Sequence, residues 1–322
     1  MSEGYPRLLG DIGGTHARWA WQPNRDAPLE DVAIVADAGS ASLYASAAAY
    51  LERGGHARPR WVGIGIATAV TGDEVRMTNH PWAFSIKALT HALGVERCLV
   101  INDFTALAMS LPALGAPDLR LVGGGTAVAD AAIGLLGPGT GLGVSGLTPS
   151  GAGRWSPLCG EGGHVTLAAT DEREAALLAW LRVQHGHVSA ERVLSGGGLV
   201  NLYRAICALD GATPRGLQPA DITTAAKDGS DMACAATVKQ FTAFLGNAAG
   251  NLALTLGARG GVYLGGGIVP RLGSAFDASL FRRHFEAKGR FGAYLRPIPT
   301  WLIVSPAPAL LGASRALDLM PT

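Results

Sequence analysis

The chain holds 322 residues, 48% of them apolar and 16% charged, with 26 Lys and Arg against 25 Asp and Glu. That content excludes a disordered chain, and a net charge of +1 argues against nucleic acid or an anionic membrane as main partner. The length fits two domains or one large α/β unit, and 45 glycines without a Gly-x-y period exclude collagen.

From the N-terminus, Leu8-Leu9 reads as a strand entering the glycine turn Gly10-Asp11-Ile12-Gly13-Gly14-Thr15, and 17–21 as the returning strand. Residues 41–53 have helical spacing. In 61–67, Val62, Ile64 and Ile66 alternate with Gly63 and Gly65 as a buried strand, and 84–93 is a helix stopped by Gly94. A short apolar strand, 98–101, ends at Asn102-Asp103, and helix 105–111 stops before Pro112. The pattern then repeats: strand 131–136, the turn Gly137-Pro138-Gly139-Thr140-Gly141-Leu142-Gly143, and strand 144–147 open a second, related half. Helices 172–184, 199–209 and 232–256 follow, with a polar loop running to Pro219. The strand Val262-Tyr263-Leu264 meets Gly265-Gly266-Gly267, and strand 296–304 and helix 309–319 close the chain. This alternation predicts two α/β domains with mixed sheets, divided near 112–117.

Cys98, Cys159, Cys207 and Cys234 lie far apart with no C-x-x-C pair, which disfavours a disulfide scaffold or zinc ribbon and fits a reducing cytoplasm. Residues 1–9 carry no export pattern. The uncharged stretch 131–153 is long enough for a bilayer, but its eight glycines and two prolines mark strands and turns.

No glycine precedes Lys87, Lys227, Lys239 or Lys288, so a Walker A loop is absent, as are H-E-x-x-H, G-x-S-x-G and the H-R-D segment. Gly141-x-Gly143-x-x-Gly146 matches the dinucleotide fingerprint, but more glycine follows it in place of a helix. In the first turn, Gly13-Gly14 admits a phosphate to backbone N–H groups, Thr15 adds a hydroxyl, and Asp11 offers a carboxylate to a phosphate-borne Mg²⁺. An ordinary tight hairpin is the rival reading. The Gly139-Thr140-Gly141 turn suggests a grip on a triphosphate from two sides, and Gly266 lies where a nucleoside can rest on bare backbone. Asn102-Asp103 reads either as a general base at a strand's carboxyl end or as a helix cap. Gly160-Glu161-Gly162-Gly163-His164 can aim several hydrogen bonds at a small polyol, and no further ligand at useful spacing makes it a metal site. Glu191 joins that set or only completes a local cap with Ser189 or a pair with Arg192.

Seven segments together closely resemble the bacterial glucokinase family. They are Leu9-Gly10-Asp11-Ile12-Gly13-Gly14-Thr15, Met77-Thr78-Asn79-His80-Pro81-Trp82, Ile101-Asn102-Asp103-Phe104-Thr105-Ala106, the 137–143 turn, the 160–164 loop, Glu191-Arg192-Val193-Leu194-Ser195-Gly196 and Gly266-Gly267-Ile268-Val269-Pro270-Arg271. The resemblance implies an actin-like, ribonuclease-H-like α/β fold: two domains with mixed sheets around a cleft, the small one 1–113 plus 304–322 and the large one 114–303. It implies a cytoplasmic homodimer that uses ATP and Mg²⁺ to phosphorylate the 6-hydroxyl of D-glucose. Asp103 matches the catalytic base. Asn102, Asp103, Glu161, His164 and Glu191 match the sugar-binding positions, and Gly10, Asp11, Ile12, Gly13, Gly14 and Thr15 the phosphate loop. Three positions depart from the family: His16 for Asn, Gly197 for Pro and Cys159 for Pro. None removes a functional group. A kinase for another sugar is the nearer rival. A sugar-sensing repressor needs a DNA-binding extension, and only about seven residues precede the first strand.

Overall fold

The computed structural model describes residues 4–78 and 80–319, so Asn79 of the 77–82 motif lies outside the described residues. In chain order the strands are β1 (Arg7–Ile12), β2 (His16–Gln22), β3 (Glu30–Ala36), β4 (Trp61–Ile66), β5 (Glu74–Arg76), β6 (Ala83–Ser85), β7 (Arg97–Asn102), β8 (Leu119–Gly123), β9 (Ile133–Pro138), β10 (Leu142–Pro149), β11 (Trp155–Cys159), β12 (Val262–Leu264) and β13 (Thr300–Ile303). The helices are α1 (Leu43–Gly54), α2 (Ile86–Leu93), α3 (Asp103–Ser110), α4 (Glu172–His185), α5 (Gly196–Leu209), α6 (Pro219–Asp228), α7 (Met232–Leu256), α8 (Ile268–Leu272), α9 (Ala278–Glu286), α10 (Gly292–Leu295) and α11 (Pro308–Leu319). None of them is long and apolar enough to cross a membrane.

By its contacts the chain forms two compact units. One runs to Gly115 and adds Pro149–Cys159 and the chain from Ser305; the other comprises Ala116–Thr148 and Gly160–Val304. The segment Pro149–Cys159 thus groups outside the expected span of 1–113 plus 304–322.

In the first unit the strand order is β3-β2-β1-β4-β7. β1, β4 and β7 are parallel and in register, so Ile12, Ile66 and Asn102 end at one level. Leu8, Ile12, Trp19, Tyr50, Val62, Ile64 and Val100 belong to its core. Gly10, Asp11 and Ile12, expected in the turn, extend β1 instead, and only Gly13-Gly14-Thr15 turn. The physical reason is Trp19: it pairs with Gly10 across the hairpin, and its ring lies where a Cβ on residue 10 would sit, 2.7 Å from Cζ3. The edge strand β3 was not expected, because its Val32 and Ile34 face solvent and leave no buried alternation to read.

Within the second unit the order is β10-β9-β12-β13-β8. β10 is antiparallel to β9, while β12 and β13 run parallel to it. This is the pairing of β2, β1, β4 and β7 over again, so the repeat seen in the glycine turns is a repeat of topology. A separate core around Leu136, Phe241, Phe244, Leu264 and Phe281 underlies it.

Helices α6, α8, α9 and α10 of this unit escaped the sequence reading. α6 starts with Pro219 in its first turn, where the expected loop ends, and Asp221 Oδ2 accepts from the Gln218 N–H at 2.8 Å. α9 buries a cation: the Arg282 guanidinium donates to the Ile298 carbonyl at 3.0 Å and pairs with Glu286 at 2.7 Å.

In the first unit, α11 packs against α3 so closely that a Cβ on Gly312 would collide with the Ala106 carbonyl, 2.7 Å from its carbon. Backbone atoms cannot rotate away, so Gly312→Ala is expected to lower stability by about 2 kcal/mol. Urea unfolding of the variant beside the parent measures this; an unchanged midpoint contradicts the packing.

Candidate active site

In the first unit the level strand ends set the geometry. Parallel α/β sheets present ligand sites at the carboxyl ends of their strands, and β1 and β7 are two strand spacings apart, about 10 Å. One end carries the Gly13–Thr15 turn and the other Asn102-Asp103. Asn102 caps α3: its Oδ1 accepts from the N–H of Phe104 at 2.9 Å and of Thr105 at 3.2 Å. Its Nδ2 donates to Asp103 Oδ1 at 3.0 Å, and the Phe104 N–H reaches the same oxygen at 2.9 Å. The capping reading is met, and the cap also sets the carboxylate of Asp103 in the helix's first turn, where the exposed N–H groups favour negative charge.

Around the turn, Asp11 shares one carboxylate oxygen with β2. Arg18 Nη1 donates to its Oδ2 at 3.0 Å. Burial raises the Asp11 carboxyl above its ordinary pKa, and the Arg18 charge opposes that. His16 Nδ1 lies 3.0 Å from Thr15 Oγ1, so the departure at position 16 shares a hydrogen bond with the hydroxyl expected to meet phosphate. Asp37 was missed in the sequence. Its N–H donates to the Thr15 carbonyl at 3.0 Å and so braces the turn. Its own carboxylate is buried, and neither oxygen meets a hydrogen-bond donor among the described residues. Cys159 is the exposed last residue of β11, with Thr105 Oγ1 3.8 Å from its Sγ.

In the second unit three loops converge. The 139–141 turn is closed by Gly139 N–H donating to the Gly141 carbonyl at 2.8 Å, and the Gly139 carbonyl accepts from Gly196 N–H at 2.9 Å. Gly196 opens α5, whose cap is Ser195, Oγ accepting from Gly198 N–H at 2.9 Å. Gly197 stands in that first turn with no crowding neighbour. At the adjoining strand end, Gly265 N–H donates to the Leu136 carbonyl at 2.9 Å. Gly266, at φ +75°, lies so near Pro138 that a Cβ would collide with its carbonyl, 2.8 Å from the carbon. The structure thus brings Gly139, Thr140, Gly141 and Gly266 together. The expected sugar-binding residues of the 160–164 loop are there too: Glu161 and His164 are exposed on a 3₁₀ turn, Gly162–His164, closed by His164 N–H donating to the Glu161 carbonyl at 3.0 Å. Glu191 N–H donates to the Gly163 carbonyl at 2.9 Å. Its carboxylate forms neither the cap nor the Arg192 pair; Oε2 accepts from Leu142 N–H at 2.8 Å.

Glycine turns without a phosphate-binding lysine, and carboxylates held by backbone N–H groups, fit the expectation of an α/β kinase for a small hydroxylated acceptor. A family model described as Glucokinase matches residues 8–320. The glucokinase of Aromatoleum aromaticum is 54% identical over 319 residues, covering 98% of this chain and 96% of its own. That of Chromobacterium violaceum is 50% identical over 317 residues, covering 98% and 90%. The crystal structure of a glucokinase from an Antarctic psychrotroph superposes with a TM-score of 0.89 at 37% identity, covering 97% of this chain and 98% of that one. The chain belongs to the glucokinase family.

Asp37 provides a test of the burial of its carboxylate. Burial raises its carboxyl above the ordinary value, while His80 and His16 pull it down. With a folded pKa above the unfolded one, ionised Asp37 opposes folding above the raised pKa, and the penalty fades as pH falls to the ordinary carboxylate value. Asp37→Asn is therefore expected to gain stability over the parent at about pH 7, the gain shrinking towards about pH 4. Urea unfolding at several pH values measures the difference, and a pH-independent one contradicts the reading.

Proposed function

We propose that the protein transfers the γ-phosphoryl group of ATP to the 6-hydroxyl of D-glucose, giving D-glucose 6-phosphate, with Asp103 as general base. The observation that carries this is the seat of Asp103: a carboxylate at a strand's carboxyl end, one oxygen tied by Asn102 Nδ2 and Phe104 N–H, level with the Gly13–Thr15 turn. Those donors orient the carboxylate, so the proton of the attacking hydroxyl has a fixed acceptor. Phosphoryl transfer proceeds through a loose transition state, so positioning outweighs strong basicity. Asn102, Glu161, His164 and Glu191 pair with the ring hydroxyls, and a sugar with one hydroxyl inverted leaves one of them unpaired. The turns at Gly13–Thr15, Gly139–Gly141 and Gly266 receive the phosphates and nucleoside on backbone N–H groups, and Mg²⁺ enters with ATP as part of the substrate.

The same reading gives the fold its finer form, an actin-like one, and the assembly of a homodimer. Four cysteines without disulfides suit a cytoplasmic setting.

Asp103→Asn keeps the shape and loses the proton acceptor. Turnover with glucose is expected to fall about 10²–10⁴-fold, with the glucose KM changed far less. A coupled assay of ADP release measures this, and near-parental turnover excludes the base role. Mannose, fructose and N-acetylglucosamine run alongside are expected to give kcat/KM values at least about tenfold below glucose.

A further inference from the structure

Glu191 is held at both ends by other loops of its unit. Its N–H is fastened to the Gly163 carbonyl of the sugar loop, and its Oε2 to the Leu142 N–H that follows the 139–141 turn. The fit is tight. A Cβ on Gly141 would collide with Glu191 Oε2 and lie 3.2 Å from Cδ, so the carboxylate fills the space a side chain at residue 141 would need. The φ of Gly141 is outside the left-handed region, so backbone conformation does not demand glycine there; the neighbouring carboxylate does. Oε1 has no hydrogen-bond donor among the described residues and lies on the far side, 3.9 Å from that Cβ position.

We infer that Gly141 is a positioning residue for the sugar. The turn read as a nucleotide loop is also the support of Glu191: it engages Oε2, presents Oε1 to a sugar hydroxyl, and leaves no side chain in the way. The inference rests on the reading that Glu191 contacts the sugar. Its consequence is that one short turn serves both substrates, with the Thr140 face towards phosphate and the Leu142 N–H holding Glu191 for glucose. Displacing Glu191 by roughly an ångström, as a methyl group at residue 141 requires, separates Oε1 from the hydroxyl it accepts.

The test is a double-mutant cycle of Gly141→Ala and Glu191→Ala, with glucose and MgATP varied independently and folding checked by thermal unfolding. Gly141→Ala is expected to raise the glucose KM about tenfold to a hundredfold and to change the ATP KM by less than about threefold. In the Glu191→Ala background, where the methyl group has room, Gly141→Ala is expected to leave the glucose KM unchanged. An effect on the ATP KM alone overturns the inference, as does an equal rise in glucose KM in both backgrounds. Should Gly141→Ala fail to fold while the double variant folds, the space at residue 141 belongs to Glu191 and the inference stands; failure of both overturns it. An unchanged glucose KM in Glu191→Ala alone is a separate result, and removes Glu191 from the sugar site itself.

Discussion

Contact of backbone with backbone, unmediated by side chains, is the constraint on which both halves of the molecule depend. In the first unit α3 can seat its opening Asp103 because α11 lies against it without a Cβ at Gly312. In the second, the 160–164 loop lies on the end of β10 because Gly163 has none: a Cβ there would collide with the Leu142 carbonyl, 3.2 Å from its carbon. Such contacts are stiff, since neither side has a rotamer to yield. They hold reactive groups to fractions of an ångström, and enzymatic positioning needs that precision.

Hydrogen bonding at loop ends does the remaining work, and each bond serves two purposes. Asn102 satisfies two N–H groups that the start of α3 would otherwise leave without partners, and the same side chain steadies Asp103. Ser195 caps α5 while the neighbouring Gly196 N–H fastens the 139–141 turn. Leu142 N–H begins a strand and holds a carboxylate. Structural and chemical readings of such residues do not compete when the helix or strand ends at the site.

The parts of the fold that were legible share one feature: they were punctuated. Glycine turns marked both hairpins, and Gly94 and Pro112 bounded α2 and α3. The parts that escaped lacked either punctuation or a clean period. β3 exposes its apolar residues at a sheet edge, and α6 begins inside a polar stretch. Asp11 shows a related limit. As a sequence letter it is a carboxylate beside a phosphate turn, and only the hairpin register, which sets Arg18 opposite it, shows that the carboxylate is engaged.

The sequence alone determined the kinds of group present: which turns are bare backbone, which loops carry carboxylates, and that two halves repeat. These follow from local chemistry, since glycine spacing, caps and apolar runs act over a few residues. Tertiary structure alone decided which of those groups meet. Glu191 is 49 residues from the N–H that holds it, and Gly312 is more than two hundred from the carbonyl it approaches. Asp37 gained its place under the Thr15 carbonyl only when the chain returned past the first turn. Contacts of that kind depend on how strands register and helices pack, and no short window of sequence encodes them.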